Sequence, residues 1–533
     1  SVSAFLLNRS SDLSFLIRGT QKFTIEQMRP KSFFNMIAGY GENAWSRAGE
    51  DLNEGQRKRE RSRQLMTDDI RDLMEGKNAQ KYDKFAGKNA ELIDTGFKDR
   101  NGKAIKITQA QRVRMYLDSL NEQNMRHYIY GATLPDQELL KKGRKQEAYD
   151  RSQTLRLIDE TKYKTVAEKV DAVKKALDKL TAGMTDYEKA WAKAFQSVVE
   201  KSTDYINETS LELNGYKKAT VENYVPIKTD RNFLAQDFES LVRDGTIEGM
   251  GMLKERINGT NPMTVEDVTD VLNRMINNTS LYYGLAIPVR NFTKMYNGTL
   301  AGYDDSVKSS LKRTWGTEGA NYIEKLLTDL QENGRNEDRS FLDSFRGKYA
   351  GSILTLNPSV MMKQAASLPT AAASLGWGPI MKALSSMKKV DPKLINKYTS
   401  AYQERANGGI RDMEANAQRN TAAKRGIFKL SNGIQAMDLA TVRKVWLACE
   451  YYVQENNPDL KEGTDEYYQA VARAYETALE DTQPEYGVMQ RPQILRSNNQ
   501  LVRSMTMFKT QSLQNFNIVY DAVQNLRAQK AKL

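Results

Sequence analysis

A chain of 533 residues is long enough for roughly two to four domains, and its 40% hydrophobic and 27% charged residues are ordinary for a soluble globular protein. One cysteine, Cys449, and one histidine, His127, exclude an internal disulfide framework and the usual four-ligand zinc sites. Any Ser-His-Asp or Cys-His device would have to use His127, and the net charge of +12 points to an anionic partner: nucleic acid, a membrane surface or an acidic protein.

Only 12 prolines interrupt the chain, and Ala, Leu, Lys, Glu and Gln are abundant. The predicted fold class is therefore all-α, an elongated assembly of amphipathic helical hairpins with little or no sheet. The first stretch, 1–87, mixes short apolar runs with the basic run "QRKRERSRQ". It reads as an arm of short helices that packs on something else, such as a neighbouring subunit. No signal peptide is present, and Ser1 in place of Met fits a fragment or a chain cut from a longer precursor. Arg57, Lys58, Arg59, Arg61 and Arg63, interrupted by Glu60, would point all around a helix. A solvated face and a phosphate-binding strip both remain open for them.

Residues 88–215 form the second expected block. "TQAQRVRMYLDSLNEQNMRHYIYG" places Val113, Tyr116, Leu117 and Leu120 on one stripe and ends at Gly131, with His127 closing or packing the helix end. "KTVAEKVDAVKKALDKLTAG" repeats apolar residues at Val166, Val170, Val173, Leu177 and Leu180. The next helix opens with a capping-box pair, Thr185 and Glu188. The short turn between these two helices predicts an antiparallel pair.

Pro226 forces an extended segment, and glycines continue the irregular stretch to about Asn261, the best domain boundary. Within 216–348, Val268, Val271, Leu272, Met275 and Ile276 define an inward helical face, and "GANYIEKLLTDLQENG" is a further helix between glycines. In the last block, 349–533, the stretch 349–381 carries one charge, Lys363, and is divided by Pro358, Pro369 and Pro379. It predicts a buried hairpin or one that contacts a membrane through Leu354, Met361, Met362, Leu368, Leu375, Trp377 and Ile380. Cys449 falls on the apolar face Val442, Val445, Trp446, Tyr452 and Val453, where a small buried residue is expected. A C-terminal helix carries the stripe Leu501, Met505, Phe508, Ser512, Phe516, Val519, Val523 and Leu526.

No Gly-rich phosphate loop, paired carboxylates or metal constellation stands out, so no cofactor and no metal are expected. "EYGVMQRP" (485–492) is similar to the Gly-Leu-Met-Gln box of lytic transglycosylases, with Glu466 lying 21 residues before Gly487 as a candidate general acid. The Ser-x-x-Gly-Ala element of that family is missing between them.

Five segments, in order, resemble the helical region of large polyvalent bacteriophage proteins: "ITQAQRVRMYLDSLNEQNMRHYIYG" (107–131), "ENYVPIKT" (222–229), "IPVRNFTKMYN" (287–297), "LNPSVMMKQAASLPTA" (356–371) and "EDTQPEYGVMQRPQILR" (480–496). The resemblance implies an internal virion, or ejection, protein carried inside the particle and delivered with the genome to the host envelope or cytoplasm. Its implied partners are other virion proteins of a portal or core complex, phage DNA, the host membrane after entry, and further copies of itself. It carries over no catalytic residue. The alternatives are a lytic transglycosylase or other virion-associated enzyme module, and a basic DNA-binding module.

Overall fold

The computed structural model describes residues 22, 24–39, 41–74, 76–86, 89–99, 102–141, 144–220, 225–226, 263–299, 305–331, 368–403, 424–482, 488–497, 502 and 510–530. Of these, 74% are helical and 6% lie in strands. Two units emerge: residues 58–290, and a discontinuous one that joins 1–57 to 291–533. Their borders fall inside long helices rather than in linkers.

Residues 58–290 are built around α4 (Gln109–Ser119), which has almost no solvent face. Thr108 caps it in a full capping box with Gln111, and nine of its eleven residues are buried, among them Arg112, Arg114 and Asp118. One side, with Val113 and Leu117, packs against Trp191, Phe195, Val268, Leu272 and Met275. The other, with Met115, packs against Tyr128, Val173, Leu177 and Met263. A helix buried all round must satisfy its charges internally. Before residue 166 this unit also holds α3 (Ala79–Phe85), the strands β1 (Leu92–Lys98) and β2 (Ala104–Thr108), α5 (Glu122–Tyr128) and β3 (Ala132–Leu134). Two short helices, α6 (Gln137–Lys141) and α7 (Lys145–Asp150), then lead to β4 (Gln153–Leu155).

α8 (Val166–Thr181) and α9 (Asp186–Asn214) each open with a capping box, Thr165/Glu168 and Thr185/Glu188. They do not form the expected pair. Each packs chiefly on α4, because the apolar faces of both are directed at it. Val170, Val173 and Leu177 are buried, whereas Val166 in the first turn of α8 is exposed. The continuous stripe predicted from Val113 to Leu120 also divides: Asn121 caps a separate helix, α5, and Leu120 turns to solvent. β1 and β2 pair antiparallel, and beyond their paired residues the Gly102 N–H donates to the Asp99 carbonyl at 3.1 Å. A second small sheet sets β3 between antiparallel β4 and parallel β5 (Met263–Thr264).

Two helices cross the unit borders. The basic run lies not in short helices but in a single 31-residue helix, α2 (Ala44–Met74). α10 (Val268–Asn297) buries the predicted face Val268, Val271, Leu272, Met275 and Ile276, and it continues through Pro288.

The discontinuous unit holds α1 (Pro30–Ala38), α11 (Val307–Gln331), and a core of α12 (Leu368–Leu375), α13 (Trp377–Ser385), α14 (Pro392–Tyr398), α15 (Lys424–Asn456) and α16 (Asp465–Thr482). Gly316, at φ +69, breaks α11 near its middle, a left-handed conformation that suits glycine. Gly376, at φ +79, turns α12 back into α13. The core residues include Val442, Val445, Trp446, Cys449, Val453, Tyr467 and Tyr475, with Trp446 and Tyr475 edge to face at 5.2 Å. Of the stripe predicted on the last helix, α17 (Thr510–Lys530), Leu501, Met505 and Phe508 lie outside the described residues. Ser512, Phe516, Val519, Val523 and Leu526 are exposed, and the opposite face, with Leu513 and Asn517, is the docked one. Asn517 accepts from the Arg29 backbone N–H at 2.9 Å and donates to the Gln27 carbonyl at 3.0 Å. Asp521 accepts from Ser32 and Arg29.

Candidate functional site

Three charged residues of α4, Arg112, Arg114 and Asp118, are buried in residues 58–290. Arg114 is fully buried; its Nε donates to Asp118 Oδ2 at 2.9 Å and its Nη2 to the Pro226 carbonyl at 2.6 Å. The i, i+4 spacing of Arg114 and Asp118 puts both on one side of α4. Asp118 also accepts from Asn124 Nδ2 and from the Tyr128 hydroxyl, each at 2.9 Å. Asn124 donates again to the Val225 carbonyl at 3.2 Å. Burial works against the Arg114 charge, but Asp118 beside it outweighs that and holds its pKa above the ordinary value. Burial, then the Asp118 charge, pushes the Tyr128 hydroxyl well above its usual range. The hydroxyl thus stays protonated at neutral pH and donates to Asp118.

Two residues before Arg114, and so on the opposite side of α4, Arg112 makes a bidentate pair with Glu188, Nε to Oε1 at 2.7 Å and Nη2 to Oε2 at 2.6 Å. Glu188 at the same time closes the capping box with Thr185, so one carboxylate fixes the start of α9 and ties it to α4. Gln111 reaches the Val265 carbonyl, and Thr108 donates to Asp267 at 2.8 Å. Beside these lies an open pocket of about 260 Å³ lined by Tyr116, Asp178, Thr181, Ala182, Met184 and Lys189. These contacts are chiefly clamps: guanidinium and amide groups hold backbone carbonyls and helix starts.

The basic run is engaged in the same way. Arg57, in the discontinuous unit, makes a bidentate pair with Glu480 at 2.6 and 2.7 Å. In residues 58–290, Lys58 pairs with Glu208 at 3.0 Å and lies 4.1 Å over the Tyr283 ring. Arg59 is buried beside Glu60, Arg61 donates to Gln64, and Arg63 pairs with Glu60 at 3.3 Å. Carboxylates and amides of this chain therefore face cations that sequence offered to phosphate or to water.

His127 is buried in the last turn of α5. Cys449 is buried in the α12–α16 core, and desolvation lifts its thiol well above the ordinary range. Glu466 is exposed in the first turn of α16. Gly487 lies outside the described residues, and the Val488–Gln490 stretch after it is buried, its Met489 N–H donating to Gln56. Of the predicted membrane contacts, Leu354, Met361 and Met362 lie outside the described residues, as does the side chain of Leu368. Leu375 and Ile380 are buried in the helical core, and Trp377 is exposed.

Sequence reasoning missed Arg112, Arg114, Asp118 and Glu450. Glu450 is buried, accepts from Trp446 Nε1 at 2.9 Å and pairs with Lys388 at 2.6 Å. Only the i, i+4 pairing of Arg114 with Asp118 was readable beforehand. Among the described residues, no cluster of three His, Cys, Asp or Glu side chains is arranged to hold a metal. Compared with protein-family models, curated proteins and solved structures, the chain matches none.

Proposed function

We propose that the chain is a helical region of a bacteriophage internal virion protein, packaged in the particle and delivered with the genome, where it acts as scaffold and not as catalyst. The observation that carries this reading is the ordered set of five segments between Ile107 and Arg496 that resembles the polyvalent phage proteins. The roles of those segments support it. The first two, 107–131 and 222–229, are far apart in sequence and meet where Arg114 and Asn124 hold the carbonyls of Pro226 and Val225. The fifth supplies Glu480 to Arg57, and its Arg496 pairs with Asp329 beneath Tyr322. Residues that hold helices to one another suit a packaged scaffold, and a net charge of +12 suits a place beside DNA.

Mass spectrometry of purified particles before and after DNA ejection in vitro tests the proposal. The chain is expected in full particles and depleted in emptied ones. Recovery only from infected cytoplasm, never from particles, would contradict it. Peptidoglycan zymography with the parent chain and Glu466→Gln addresses the transglycosylase alternative. Clearing by the parent that the variant loses would replace the scaffold reading with that enzyme.

A further inference from the structure

One face of α13 is buried and its other face is apolar as well. Pro379, Ile380 and Ala383 turn into the helical core. Trp377, Met381 and Leu384, at i, i+4 and i+7, line the outer side and are 62%, 57% and 47% exposed. Met387, just past the end of the helix, is 96% exposed. Single exposed apolar residues are ordinary in soluble proteins, but four large ones within eleven positions concentrate apolar surface on one short segment.

Two features select the occupant. The first is area: four partly exposed side chains offer less than the ~800 Å² per partner that a stable protein interface takes. A short segment exposing one Trp, two Met and one Leu has the size and composition of an interfacial anchor, which sits at the headgroup level without spanning. No described helix is long and apolar enough to cross a membrane. The second is charge. Lys382, Lys388 and Lys389 lie in or next to the segment, and Lys393 follows in α14. Lys382 is held by Glu455, and Lys388 by Glu450 and Glu462. Lys389 and Lys393 are exposed and their ammonium groups pair with no carboxylate among the described residues, while the Lys393 backbone N–H donates to Asp391 at 2.9 Å to cap α14. Lysine stems lie along apolar surface while their ammonium groups reach outward, so they can meet lipid phosphates as the segment enters.

We propose that the Trp377–Met381–Leu384–Met387 segment docks on an anionic lipid surface, with Lys389 and Lys393 meeting headgroup phosphates. The inference rests on this geometry alone and does not depend on the virion reading above.

Flotation of the full chain with vesicles containing about 30% phosphatidylglycerol in phosphatidylcholine, against pure phosphatidylcholine, is the test. The parent chain is expected to float with the anionic vesicles. Met381→Glu/Leu384→Glu should weaken that binding by about tenfold or more, and Lys389→Gln/Lys393→Gln by about threefold to tenfold. All four positions face solvent, so helical content and melting temperature should be unchanged, which separates lost docking from lost folding. Brominated lipid should quench tryptophan emission in the parent chain, and this quenching should disappear in Trp377→Phe. Failure of the parent to float, flotation that survives Met381→Glu/Leu384→Glu, or quenching unchanged in Trp377→Phe would each overturn the proposal. So would a parent dimer that the same double substitution converts to a monomer, since a second copy would then be the occupant.

Discussion

Residues 58–290 and the α12–α16 core solve the same problem by opposite means. Around α4, buried charges do the positioning: Arg114 with Asp118, Arg112 with Glu188. Around α15, aromatic and aliphatic side chains fill the interior, and the buried carboxylate Glu450 is served by Trp446 and a lysine from the edge. The difference lies in what each buried helix carries. Both are heavily buried, but α4 has Arg112, Arg114 and Asp118 in its buried stretch, whereas α15 has Val445, Trp446, Leu447, Ala448 and Cys449. A buried ion pair contributes little net stability when intact, yet removing one partner leaves a stranded charge. The first region should therefore be brittle to single polar substitutions, and the second sensitive mainly to lost volume.

Asp118→Ala is expected to have the largest effect. It strands the Arg114 guanidinium and removes the acceptor for Asn124 and Tyr128, at a cost of about 3–5 kcal/mol. Denaturant unfolding followed by circular dichroism reads it, and a loss below about 1 kcal/mol would dissolve the contrast between the regions. Trp446→Phe should cost less, about 1–3 kcal/mol, from lost volume and from the missing partner of Glu450 Oε1. An equal or larger loss for this substitution than for Asp118→Ala would reverse the ranking.

The smallest expected effect is at Cys449. Its thiol is pushed up by burial first and by the Glu450 charge second. The folded pKa is raised, so its contribution to stability is complete below the unfolded thiol value of about 8.5 and is lost as pH rises through the folded value. A thiol reagent at about pH 8 should react with Cys449 only after unfolding. Rapid modification of the folded chain would place that side chain outside the core.

Helix existence and facing were legible where local chemistry decides them. Thr185 with Glu188 announced the start of α9, and Val268, Val271, Leu272, Met275 and Ile276 announced the buried face of α10. Cys449 could be placed among its apolar neighbours for the same reason. Partners were not legible. The turn at 181–185 implied that α8 and α9 pair, but α4 takes both faces, a choice set by long-range packing. The stripe on α17 did not say what the helix docks on: Asn517 and Asp521 hold it because their acceptors match Arg29 and Ser32, hundreds of residues away in sequence. The basic run on α2 looked available for the same reason: Glu208 and Glu480, which answer Lys58 and Arg57, lie far along the chain.

That the buried charges of residues 58–290 hold this chain to itself is tested most directly by a double-mutant cycle on Arg114→Met and Asp118→Leu. Each single substitution should lose about 3–5 kcal/mol by stranding its partner. The double variant should recover part of that loss, with a coupling of about 2 kcal/mol or more between the two sites. Single losses that add within about 0.5 kcal/mol would contradict the clamp.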